Sequence, residues 1–144
     1  MKNLLIILLS ITWLSGYSQI FTIKDNQYLP ILNLAVDIEN YEFTNLDGTG
    51  WVFYKAGDTA DTIIVNAHYV DKKKGVIAPL KTVYVVNRID IKTSIEGSLF
   101  YVFKVTILNS TRKRTILLIK KEDVYDFVIS IDSENFFIIT VDMQ

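Results

Sequence analysis

The chain has 144 residues, half of them hydrophobic, which suffices for one domain with a sizeable core. Its 15 basic and 16 acidic side chains nearly cancel, so no broad field points to nucleic acid or an anionic membrane surface. With no cysteine and a single histidine, His68, the composition excludes disulfides, thiolate zinc sites, a cysteine nucleophile, a lipidated-cysteine tether and multi-histidine metal sites.

The first element in chain order is "MKNLLIILLSITWLSGYSQ", with Lys2, an apolar run from Leu4 to Leu14, and small residues Gly16 and Ser18 at its end. These are the n-region, h-region and cleavage-site features of a secretory signal peptide. The apolar run is short against the roughly 20 residues that a spanning helix needs. Residues 1–18 are therefore expected to be a removed signal, leaving 144 − 18 = 126 residues that begin at Gln19. The expected location is the periplasm or the cell exterior.

Beyond the signal the periodicity is two. In "PILNLAVDI", Leu32, Leu34, Val36 and Ile38 fall on one face and Asn33 and Asp37, followed by Glu39, on the other, as a half-buried strand requires. "WVFYK", "TIIVNAHYV" and "KTVYVVNRIDI" follow as β-branched and aromatic runs. "SLFYVFKVTIL" (98–108) is apolar on both faces and reads as a central strand. After the polar turn "NSTRKR" comes "TILLIKK". "VYDFVISID" then sets Tyr125, Phe127, Ile129 and Ile131 on a buried face, and "SEN" (133–135) turns it into "FFIITVD" as a hairpin. Only "KKEDVYDF" could start a helix, and its β-branched continuation argues against one. Eight or nine short strands separated by turns predict an all-β sandwich or barrel.

The order of Pro30 and Val36, then Thr44, Asp47 and Gly48, then Asp61, Thr62, Ile63, Ile64, Val65 and Tyr69 resembles the carboxypeptidase regulatory-like domain, over about residues 20–75. The resemblance implies a transthyretin-like antiparallel β-sandwich with Ig-like Greek-key connections. On that reading residues 19–144 form a single sandwich domain, 19–90 being the regulatory-like part and 91–144 additional C-terminal strands. Asn33 and His68 stand where the family often has Gly, and Trp51 comes one residue late behind Gly50. That offset predicts a β-bulge at Gly50, since a one-residue slip would otherwise turn the strand's faces over.

Motifs for nucleophilic, metallopeptidase and phosphate chemistry do not occur. His68, within an apolar strand pattern, reads as a structural imidazole rather than a general base. Among the carboxylates Asp37, Glu39, Asp58, Asp61 and Glu96, no spacing singles out a glycosidase pair. "NLDGTG" offers Asp47 and backbone carbonyls, too few oxygens for calcium. No catalytic, metal or cofactor residue is assigned, and no cofactor is expected. The clusters Lys72–Lys74 and Arg112–Arg114 lie at expected loop tips, either as solvated turns or as contacts for a partner or acidic glycan. "NST" at 109 has the form of a glycosylation acceptor, and an exposed aromatic strip for sugar or peptide is a further option.

These features predict a secreted, non-enzymatic β-sandwich module of the cell envelope. It would bind a protein or glycan, an open sheet edge being one place to do so. The alternative is a lipocalin-like barrel carrying a small apolar ligand. "GTGWVFY" is faintly similar to that family's Gly-x-Trp, although Gly48 is three residues before Trp51 rather than two.

Overall fold

The computed structural model describes residues 27–38, 42–71 and 74–142. The expected signal peptide and Glu39 lie outside them. Eight strands follow one another: β1 (Gln27–Ile38), β2 (Glu42–Lys55), β3 (Thr62–Asp71), β4 (Val76–Thr93), β5 (Leu99–Ile107), β6 (Lys113–Lys121), β7 (Val124–Ser130) and β8 (Phe136–Asp142). Each pairs antiparallel with its sequence neighbours. β8 then returns to β1, from Ile31 opposite Val141 to Asp37 opposite Phe136.

That last ladder closes the sheet into a barrel and overturns the expected sandwich. Two facing sheets joined by Greek-key crossovers do not form, because every strand hydrogen-bonds to the next and the eighth to the first. The transthyretin-like fold implied by the resemblance goes with it. Residue 90, the expected end of the regulatory-like part, lies inside β4, and the chain beyond it supplies the rest of the same sheet. Alternating side chains demand one buried face in either architecture. Alternation alone does not say whether that face meets a second sheet or curls upon itself.

Two irregularities let β1 reach both neighbours. Between Pro30↔Trp51 and Leu34↔Leu46, β2 advances 51 − 46 = 5 residues while β1 advances 34 − 30 = 4. The extra residue falls somewhere in the stretch of β2 that holds Gly50, at φ +127°, although the β2–β3 ladder runs through Gly50↔Ala67 without a shift. On the other side Ile31 pairs with Val141 and Asn33 with Thr140, so Leu32 is an extra residue on β1. It is 55% exposed, contrary to its expected place beside Leu34 and Val36 on the buried face. The bulge resets the alternation, so that Leu29, Ile31 and Leu34 all belong to the core.

The lumen is apolar. Phe127, Leu34, Ile63, Ile116, Leu118 and Ile139 have no accessible surface, and Phe103, Tyr54, Tyr84 and Tyr125 pack among them. The expected alternation of Tyr125, Phe127 and Ile129 inward holds, while Ile131 is half-buried beyond the end of β7. β5 buries Val102 on one face and Phe103 on the other, as a strand apolar on both sides should. Lys55, Lys81 and Lys104 are exposed and alternate with the lumen residues, so they stand on the outside. This polarity is the reverse of a water-filled pore, whose strands put polar residues inward.

Burial raises the phenol pKa of Tyr84 above 10.0, against smaller lowering effects of a Thr82 hydrogen bond and the Arg114 charge. Burial also raises Tyr101, with a further contribution from Tyr125. Above the ordinary tyrosine range of about pH 10 the unfolded chain releases protons that the folded barrel keeps, so stability falls as pH rises. The effect is absent at lower pH, where both states are neutral. Tyr84→Phe is expected to flatten this alkaline slope, measured as urea midpoints from about pH 9 to about pH 11.

Candidate functional site

Residues of β4 and β5, the start of β6, the end of β7 and the turn after it line an open cleft of about 550 Å³. Its polar lining is Lys104, Lys113, Arg114, Thr115, Ser130 and Asp132, with Asn87 and Ser133 at its margins. Strand pairing assembles it. Lys104 lies opposite Thr115 and Thr106 opposite Lys113 across the β5–β6 ladder. On the far side the Thr115 N–H donates to Ser130 Oγ at 3.0 Å, tying β6 to β7. Lys104 Nζ donates to Thr115 Oγ1 at 3.3 Å, and Asn87 Nδ2 to Thr106 Oγ1 at 2.7 Å.

Arg112–Arg114 follows a tight turn. Asn109 takes φ 62°, a conformation that asparagine tolerates better than most residues, and the Ile107 N–H donates to the Arg112 carbonyl at 2.9 Å. Arg112 is exposed in the turn, and Lys113 opens β6 on the cleft. Arg114 lies opposite the inward-facing Val105 and donates from one terminal nitrogen to the Lys113 carbonyl at 2.9 Å.

The one carboxylate of the cleft is committed elsewhere. Asp132 Oδ1 accepts the backbone N–H groups of Glu134 and Asn135 at 2.8 and 2.9 Å, and Oδ2 accepts the Asn135 amide at 2.8 Å. The Glu134 N–H, the Asn135 side chain and backbone, and finally the charge of Arg114 hold its pKa below the ordinary value. Asp132 is thus an ionised turn former for "SEN". Lys104, Lys113 and Arg114 form no salt bridge among the described residues, leaving three cations against one anion, 3 − 1 = +2. Hydroxyl and amide donors surround that excess, an arrangement suited to holding an anionic oxygen group.

The other candidates disperse. His68 sits exposed on the outside of β3, between the pairings Thr49↔His68 and His68↔Pro79, rather than within the core. Asp61 accepts Tyr54 O–H at 2.6 Å and the Gly57 N–H at 3.2 Å, a structural role at the β2–β3 turn that agrees with a strand-start signal. Asp58 is exposed in the same turn and Glu96 in the β4–β5 turn. The side chains of Asp37 and Asp47, like Lys72 and Lys73, lie outside the described residues. Among the described residues no three His, Cys, Asp or Glu side chains group as metal ligands.

One polar feature was not anticipated. Asp126 is buried on the outside of β7, bonded to Lys121 Nζ at 2.7 Å and to Thr140 Oγ1 at 2.7 Å. Tyr28, Trp51 and Phe53 make an outer aromatic cluster, Tyr28 stacked on Phe53 at 4.2 Å and edge-on to Trp51 at 4.9 Å. The sequence signal for the cleft itself was Lys104, a lone cation in an otherwise apolar strand. Such a residue must point out of the barrel, beside whatever its neighbours present.

The chain matches no protein-family model, and neither a curated protein nor a solved structure is significantly similar to it.

Proposed function

We propose that this protein is a secreted, non-enzymatic β-barrel module of the cell envelope that binds an acidic glycan through the cleft at Lys104, Lys113 and Arg114. The supporting observation is the convergence there of three cations that form no salt bridge among the described residues, while Asp132, the carboxylate lining the cleft, is held in a turn. A glycan carboxylate or sulfate supplies the missing charge, and the hydroxyls of Thr115 and Ser130 and the amide of Asn87 suit its sugar oxygens. The cleft is open rather than enclosed, which fits one unit of an extended chain.

The carrier alternative has the right outline, an eight-stranded closed barrel. It lacks support from the lumen. A ligand-sized cavity would leave its lining accessible, whereas the lumen side chains of Ile63, Ile116, Leu118, Phe127 and Ile139 have no accessible surface.

The test is calorimetric titration with uronate oligosaccharides, sulfated dextran, neutral dextran and inorganic phosphate. Binding of the first two that weakens with salt is expected, with none to neutral dextran. Lys104→Gln and Lys113→Gln, both at exposed positions, should each weaken binding roughly tenfold. Equal binding of neutral and acidic chains would refute the reading. Phosphate matching the best oligosaccharide would reduce the site to a simple anion site.

A further inference from the structure

Closing the barrel removes most strand edges, but β4 is too long to be covered along both sides. Its 18 residues pair with β3 only as far as Val85, opposite Thr62. The Val86 N–H donates to the Asp61 carbonyl at 2.8 Å, and there the β3 side ends. From Ile89, opposite Phe103, to Thr93, opposite Leu99, β4 pairs with β5 alone. Among the described residues the backbone of Ile89–Thr93 makes no hydrogen bond outside that ladder. Alternate N–H and C=O groups of this segment therefore have no partner among the described residues, a row that an extended chain can complete.

The segment's two faces differ. Ile89 and Ile91 lie opposite Phe103 and Tyr101 yet stay 46% and 41% exposed, and Ile95 in the following turn is fully exposed. Arg88, Asp90 and Lys92 occupy the other face, with Arg88 Nε 3.0 Å from Asp90 Oδ1 and a net charge of 2 − 1 = +1. The upper half of β4 contains Pro79, which lacks the donor that strand pairing uses, a common way to blunt an edge. No proline occurs in 86–93.

We propose that Ile89–Thr93 is a docking edge for an extended peptide of a partner protein. The peptide adds a strand beside β4, its apolar residues lying next to Ile89 and Ile91 and its carboxylates next to Arg88 and Lys92. Backbone hydrogen bonds hold it, and the two faces of β4 set its alternation of apolar and acidic residues. The edge borders the cleft, Arg88 lying opposite Lys104 across the β4–β5 ladder, so a variant on β6, Lys113→Gln, is the one that separates peptide docking from glycan binding.

The probe is a synthetic seven-residue peptide alternating Val and Glu, titrated into isotope-labelled protein and followed by NMR. The expected result is protection from hydrogen exchange at alternate amides of 89–93, with intermolecular contacts to Ile89 and Ile91. Charge reversal in Arg88→Glu with Lys92→Glu should weaken binding at least about fivefold. Lys113→Gln should leave it unchanged. A peptide N-methylated at alternate amides should not bind, which tests the backbone bonds without altering the protein. Equal binding of the methylated peptide, shifts confined to the cleft, or self-association of the barrel along this edge in place of peptide binding would each overturn the proposal.

Discussion

Gly50→Ala is expected to destabilise the barrel by about 3 kcal/mol or more, seen as a lower urea midpoint at unchanged slope. Gly50 has φ +127°, a region that side chains bearing a Cβ rarely enter. An added Cβ would also fall 2.0 Å from the Asn66 carbonyl oxygen and 2.9 Å from the Ala67 Cα. Both are backbone atoms of β3, pinned by the ladder Gly50↔Ala67 and Trp51↔Asn66, so neither can step aside as a side chain would. The substitution must therefore break that ladder. Gly75→Ala is the control. It too has positive φ, +67°, but nothing lies within 4 Å of its added Cβ, so about 1 kcal/mol is expected. Equal effects at the two sites would mean that conformational preference, not the close approach of β3, governs Gly50.

The oddity at Gly50 was visible only against the pattern of the family the sequence resembles, relative to which Trp51 comes one residue late. The irregularity on β1 was not visible at all. "PILNLAVDI" alternates without a break, and nothing in it marks Leu32 as the residue that bulges out toward solvent. That bulge is imposed by β8, which is more than a hundred residues away in the chain and must align Val141 with Ile31 and Thr140 with Asn33. Closure was hidden for the same reason. Local alternation reports which face of a strand is apolar, whereas a sandwich and a barrel differ in whether the first and last strands meet. The hairpin Val124–Asp142 was legible because its strands are adjacent and its turn carries its own chemistry, Asp132 gathering the N–H groups of Glu134 and Asn135. The cleft lies between these cases. Lys113 and Arg114 stood out as a basic turn, but Lys104, Thr115 and Ser130 join them only through pairing across three strands.

Phe127→Ala should cost about 3–5 kcal/mol, the range for deleting a large aromatic from a close-packed core. Phe127 has no accessible surface and is the largest of the fully buried side chains. It lies between Leu118 of β6 and Ile139 of β8, both also at 0%. A barrel wall is held by continuous ladders on both sides, so it collapses little around a deleted ring and most of the volume persists as a hole. That rigidity makes the same variant a test of what the lumen does. If the wild-type lumen is a packed core, it should not bind benzene-sized apolar molecules, whereas Phe127→Ala should acquire such binding and recover part of its lost stability when saturated. A lumen already built to carry a ligand would give the opposite pattern, with wild-type binding and a loss below about 1.5 kcal/mol, because removing a ring from an existing cavity deletes few packed contacts. Calorimetric unfolding of both proteins with and without benzene separates the two outcomes. The first is expected, because Phe127 and its axis-facing neighbours Leu118 and Ile139 have no surface left to offer a ligand.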